Sequence, residues 1–365
     1  NAEKAFSGYT IFSPLGRLST FLIDMKGSVV HEWKLPAMAG NYAYLLPNGN
    51  LLAAQRTNDG PIDLPGKGGK LIEMDWDCNI LWEFTDHFQN HDFRRLKNGN
   101  TVYAAWEVMP VEAAIRVQGG RGGTEHKNGI YGDVVREIDP DGSLVWEWSI
   151  SRDVEIEKFP LCAIEHRKEF GHINSVQPLK NGDYLISCRN NHLIAIIDRE
   201  TKDFSWSMSE MALGHQHDAT MLDNGNILVF VNGAHSVYGG PNFGSRIHEI
   251  DPKTKEVVWE YRGSPPYTFH SSFISGMERL ANGNTLICEG QWGRLFEVTP
   301  DSEIVWDYVS PYFNGKDVPY AEGNFVFRCY RYAAGWRRTS DQRKSHQPVP
   351  DYRNQQQGSL CEPCP

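Results

Sequence analysis

His215-Gln216-His217-Asp218-Ala219-Thr220-Met221-Leu222-Asp223-Asn224-Gly225-Asn226, running on into Ile227-Leu228-Val229-Phe230-Val231-Asn232-Gly233, reads as strand, two-residue turn, strand. Asn224-Gly225 supplies residues that accept the positive φ angles of a tight hairpin. The same signal recurs at Asn48-Gly49-Asn50, Asn98-Gly99-Asn100, Asn181-Gly182-Asp183 and Asn282-Gly283-Asn284. Copies at spacings of roughly 40–85 residues point to a repeat architecture.

A second repeated signal lies out of phase with the first. It reads apolar-x-Ile/Val-Asp/Thr, a polar turn, then apolar-Trp-Glu-aromatic. Its copies join Leu22-Ile23-Asp24 to His31-Glu32-Trp33, Leu71-Ile72-Glu73 to Trp82-Glu83-Phe84, and Glu137-Ile138-Asp139 to Trp146-Glu147-Trp148. Three more join Ile196-Ile197-Asp198 to Trp206-Ser207-Met208, Glu249-Ile250-Asp251 to Trp259-Glu260-Tyr261, and Glu297-Val298-Thr299 to Trp306-Asp307-Tyr308. Each unit is then four short strands, A to D. The A–B pair missing from the count is supplied by both chain ends, with Asn324 to Tyr332 as strand A and Tyr9-Thr10-Ile11-Phe12 as strand B. The reading is an all-β, six-bladed β-propeller closed by N- and C-terminal strands in one shared blade, which leaves no open edge between first and last blades. It spans residues 1–335, and residues 336–365 read as an irregular C-terminal tail. No segment has helical periodicity, so helix content is expected to be low. The repeated Trp reads as inter-blade core.

Composition narrows the function classes. The 365 residues are 22% charged and 40% apolar, the balance of a globular chain and not a disordered one. The net charge of −10, with no basic stripe, argues against nucleic acid as the main partner. No apolar run is long enough to span a membrane. The chain begins at Asn1 without Met, which fits a processed or trimmed N-terminus; a removed signal peptide is one way to reach it. Seven cysteines include Cys361 and Cys364 in a polar, proline-rich setting without a second CxxC, a poor zinc motif. An exported, periplasmic or secreted protein with one or two disulfides is the expectation, as monomer or homodimer.

Strand A lines the channel of a propeller, and the start of A shares a face with the end of B. Counting seven back from each turn Asn gives Asn41, His91, Asn174, His217 and Ser275; counting eight forward gives Arg56, Trp106, Arg189, Asn232 and Gly290. Strict alternation puts His172 on the same side as Asn174, and His215 on the same face as His217. His270 precedes the last of these A strands. The B–C connection from Val108 to Tyr131 is long, as is that from Ala234 to Gly244, and long loops on a rigid scaffold suit a binding site.

Three histidines at one strand position, beside an arginine, leave two active readings. One is nucleophilic or acid–base work on an anionic small molecule, with Arg neutralising charge. The other is a divalent metal held by imidazoles, drawn from His91, His172, His217, His270 and His215, serving a lyase, hydrolase or oxidoreductase. A non-catalytic ligand-binding propeller is a third reading. Other motifs are weak. Gly60 to Gly68 contains Gly66-Lys67, but Gly68 stands where a phosphate loop needs Ser or Thr, and no HExxH, GxSxG or EF-hand loop is present.

Several pieces resemble the arylsulfotransferases and their shorter, arylsulfotransferase-like relatives. They are Gly8-Tyr9-Thr10-Ile11-Phe12-Ser13-Pro14-Leu15-Gly16, Gly171-His172-Ile173-Asn174-Ser175 with Ser187-Cys188-Arg189, Gln216-His217-Asp218-Ala219, Ser275-Gly276 with Arg279 to Gly290, and Phe327-Arg328-Cys329-Tyr330-Arg331-Tyr332. The resemblance implies transfer of a sulfuryl group from an aryl sulfate to a phenol, without a nucleotide sulfate donor and with no cofactor required. It further implies that His217 accepts the group covalently, that His172 and Arg189 bind its oxygens, and that His91 completes the catalytic set. Asn174, Asn232, Arg56, Trp106 and His270 are then the expected substrate-binding residues, and the partner is an aromatic or anionic small molecule.

Overall fold

The computed structural model describes residues 1–235, 243–314 and 322–335. The tail expected at 336–365, with Cys361 and Cys364, lies outside the described residues. Six four-stranded antiparallel sheets make the propeller, with strand A innermost in each. Blade one pairs Val326–Ala333 (A) with Gly8–Pro14 (B), followed by Ser19–Ile23 (C) and Val29–Lys34 (D), so the two chain ends meet in one sheet as the repeat count requires. Blades two to six begin with A strands Ala39–Leu45, Gln89–Arg95, Ile173–Pro178, His217–Met221 and Gly276–Arg279. Among the described residues helix is confined to two four-residue segments, Val111–Ala114 and Ile150–Asp153, and a few 3-10 turns.

Strands A and B are almost wholly buried, whereas strand D alternates between exposed and packed residues. That gradient follows from the geometry: inner strands are covered by neighbouring blades on both faces, outer strands on one. The D-strand tryptophans do more than fill the seams. Trp82 donates its indole N–H to the Pro140 carbonyl (2.8 Å), Trp146 to Arg199 (3.0 Å), Trp206 to Pro252 (2.8 Å), Trp259 to Pro300 (2.8 Å) and Trp306 to Met25 (2.9 Å). Each acceptor is the first turn residue between strands C and D of the next blade. In blade one His31 occupies the Trp position, opposite Leu22, and Trp33, one alternation on, donates instead to Asp75 (3.1 Å). The ring of indole bonds therefore closes on itself around the rim.

The long Val108–Tyr131 connection has structure of its own: Gly119–Arg121 runs parallel to Leu161–His166, an insertion between blades three and four. Glu169–Phe170, which follows that insertion, adds to blade three beside Tyr131–Ile138. The expected disulfides do not form among the described residues, where Cys78, Cys162, Cys188, Cys288 and Cys329 are all free thiols. Cys188 and Cys288 belong to the B strands of different blades, each in its own apolar cluster.

Candidate active site

At the expected ring position the A strands of blades two to five all break register, between Ala39 and Ala43, Asn90 and Phe93, Ile173 and Ser175, and His217 and Thr220. Asn41, His91, His172, Asp218 and Ser275 all carry positive φ. Extra residues and left-handed turns re-aim side chains at a sheet end, and strain of this kind gathers at functional sites.

The bulges bring His91, His172 and His217 to one place. The rings of His91 and His172 lie 4.4 Å apart, and Phe327 of the closing strand lies 5.9 Å from His91 and 6.4 Å from His217. All three histidines are buried. Burial foremost, then the nearness of the His172 ring, pushes the His91 pKa well below the usual imidazole value; burial and then Arg189 do the same to His217. Both rings are therefore neutral bases at neutral pH.

His217 is held in a defined tautomer. Asn232 donates its amide N–H groups to the Ser271 and Ile274 carbonyls (both 2.9 Å), which turns its oxygen toward His217 Nδ1 at 2.8 Å. The His215 carbonyl lies 3.1 Å from the same nitrogen. Two acceptors facing Nδ1 require the proton there and leave the lone pair on Nε2. Asn232, expected to touch substrate, thus orients His217. Asn174 has a similar fate: it donates to the Gln216 carbonyl (2.8 Å) and accepts from Asp218 N–H (3.3 Å), tying blade four to blade five. Trp106 is buried, 6.4 Å from His91, and donates to Glu169 Oε2 (2.9 Å), which also meets His172 Nδ1 (3.1 Å). Arg56 stands at the end of its B strand and donates to the Ile62 carbonyl of its own loop.

Arg189 faces a cleft of about 1000 Å³ shared with His270, Tyr267, Phe273 and Trp292. Its Nη1 donates to Glu165 Oε2 (2.9 Å) and Asn190 Oδ1 (2.8 Å); Nε and Nη2 carry no hydrogen bond among the described residues. Exposed Tyr267 and Trp292 give the cleft aromatic walls beside a fixed cation. His270 lies on that cleft and outside the buried histidine group, with burial lowering its pKa.

His215 corrects the alternation argument. Gly214 and His215 both take left-handed φ, and the strand starts only at His217, so the two imidazoles diverge. His215 points to a second cluster, 4.7 Å from the His192 ring and 4.4 Å from that of His235. Burial holds His192 down at about 4. Of the five histidines expected as metal ligands, only His215 belongs to a group with ligand spacing among the described residues, and its companions are Cys162 and His235.

Sequence reasoning did not assign Asp92, Asp218, Arg328, Glu165 or Glu169. Arg328 is buried in the channel, with Nη1 3.0 Å from Asp92 Oδ2, Nε 3.1 Å from Asp218 Oδ1 and Nη2 donating to the Asn174 carbonyl at 2.5 Å. Asp92 and Asp218 also accept the Val176 and Met277 backbone N–H groups of other blades. The His-Asp dipeptide at 91–92 and 217–218 was a visible signal for this pair; Glu165 comes from the insertion and Glu169 from the short strand that follows it, where no period marks them.

A family model described as arylsulfotransferase (ASST) matches residues 65–311. Among solved structures, a protein of unknown function from Bacteroides caccae superposes with TM-score 0.55 at 15% identity, covering 88% of this chain and 98% of that one. A streptogramin B lyase superposes with TM-score 0.48 at 12% identity, covering 89% and 90%. A virginiamycin B lyase from Staphylococcus aureus does so with TM-score 0.47 at 11% identity, covering 83% and 85%. At such identities the Bacteroides likeness bears on the fold alone. No curated protein matches.

Proposed function

The chain belongs to the arylsulfotransferase family, and from that premise we propose that it moves a sulfuryl group from an aryl sulfate to a phenol through a covalent intermediate on His217. The observation that carries this reading is the Asn232 amide, anchored on two carbonyls, which puts the proton on His217 Nδ1 and the lone pair on Nε2. In the first step Nε2 attacks sulfur, the N–S bond forms, and the S–O bond to the aryl group breaks with its electron pair leaving on the phenolate. In the second step a phenol oxygen attacks sulfur and gives its proton to solvent, which has protonated the phenolate released in the first step, and the N–S bond breaks with its electron pair returning to Nε2 to restore the imidazole. Two displacements replace one difficult transfer.

The surroundings support that chemistry. Negative charge on the sulfuryl oxygens is met by Arg189, whose position Glu165 fixes, while the rings of His172 and His91, turned by Glu169 and Asn90, line the same site. Charge stabilised by pre-placed donors in a buried site needs little reorganisation during reaction. Tyr267, Phe273 and Trp292 give an aryl group flat apolar surfaces within the cleft that holds Arg189.

The test is intact-mass measurement after exposure to an aryl sulfate without acceptor. The wild type is expected to gain the mass of one sulfuryl group and lose it when phenol is added. His217→Ala is expected to gain nothing and to lose steady-state transfer by on the order of 10⁴-fold or more. Full turnover by that variant would end the proposal.

A further inference from the structure

We propose that Cys162, His215 and His235 form a site for one zinc-class divalent cation at the wall of the channel mouth, separate from the His91–His172–His217 group. Their ligand atoms all lie within 4.8 Å of one another, and Cys162 Sγ is 3.7 Å from His235 Nδ1. A tetrahedral zinc with bonds of about 2.3 Å to sulfur and 2.0–2.1 Å to nitrogen sets sulfur and nitrogen roughly 3.6 Å apart. The cysteine–histidine pair therefore already has the edge length of such a site.

His215 supplies the independent observation. Its side chain is fully buried, and neither ring nitrogen has a hydrogen-bond partner among the described residues. A buried imidazole with both nitrogens unused is costly, and a bound cation would occupy one of them. Placement in an apolar core would explain such a ring, but its neighbours are polar. Glu165 Oε2 lies 3.5 Å from His215 Nδ1 and 3.8 Å from His235 Nδ1. A thiolate with two imidazoles selects zinc over magnesium or calcium, which prefer oxygen ligands. Three protein ligands leave a fourth position for water. Glu165 also accepts from Arg189, so a cation here would sit one carboxylate away from the arginine of the cleft.

Binding is read on the full-length chain after chelator treatment, by calorimetry with zinc and by absorbance with cobalt as probe. The expected result is one equivalent bound, with a thiolate-to-cobalt charge-transfer band. Cys162→Ser should abolish the band, and both it and His235→Ala should weaken zinc binding beyond the roughly 10–100-fold that loss of an outer partner costs. His235 is partly exposed, so its removal tests the site without disturbing the core. His91→Ala should leave zinc affinity unchanged. Less than one equivalent bound by the wild type, or affinity kept by both ligand variants, would overturn the proposal, and so would affinity lost in His91→Ala alone. None of these outcomes depends on sulfuryl transfer.

Discussion

At the rim, five blades carry tryptophan at one point of strand D, and each indole donates to the first turn of the next blade. At the mouth, the matching points of strand A hold Asn41, His91, Asn174, His217 and Ser275, and no two successive blades agree in what the side chain bonds to. The rim repeats because every seam between blades poses the same packing problem. Under the proposed transfer the mouth varies because a substrate in the channel would meet each blade once, from a different side. Sameness around the ring thus marks stability here, and departure from it marks chemistry.

The contrast can be broken experimentally, most strongly at the mouth. Asn232→Ala removes the acceptor that sets the His217 tautomer; kcat for transfer should fall roughly 10³–10⁴-fold, comparable to losing the orienting group of other catalytic histidines. An unchanged kcat would mean that His217 is oriented otherwise. Arg328→Met should act on stability: it leaves Asp92 and Asp218 buried without their shared cation, at a cost of about 3–5 kcal/mol, read by urea unfolding. A loss under about 1 kcal/mol would show that Arg328 is not the link between blades that its bonds imply.

Gly66→Ala falls between the two regions. Gly66 has φ of +81°, and a Cβ there would lie 1.9 Å from His91 Cε1. The variant should lose about 1–3 kcal/mol of stability and reduce transfer by displacing His91; normal kinetics would remove His91 from the catalytic set. At the rim, Trp206→Phe keeps most of the packing and deletes one indole bond. A loss of about 0.5–1.5 kcal/mol is expected, with kcat unaltered; a changed kcat would show that rim and mouth are coupled.

The glycine-rich stretch shows how partial a motif reading is. Gly66-Lys67-Gly68 joins strands Leu51–Arg56 and Gly69–Met74 instead of leading into a helix, and it packs on the site: the Gly66 carbonyl accepts from His91 N–H (2.9 Å). Lys67 is buried and donates to Thr57 Oγ1, Gly68 O and His87 O. His91 and His217 were legible because their distance from the turn Asn is countable, and His172 because it lies one alternation from the counted Asn174. Glu165 and Cys162 were not, because they lie in an insertion that no turn spacing measures. Asn232 was found at the right place with the wrong work, since a side chain's partners lie on another blade.

The order of strands, the number of blades, the closing of the ring by both termini and the depth of three histidines follow from local signals: Asn-Gly turns, period-two burial and a tryptophan every unit. These depend on residues near one another in the chain, so the linear order suffices. The split between His215 and His217, the tautomer of His217 and the meeting of Cys162 with His235 depend on bulges, left-handed turns and contacts between separate sheets. Alternation along a strand carries no record of those, because each is settled by which neighbour the folded ring brings alongside.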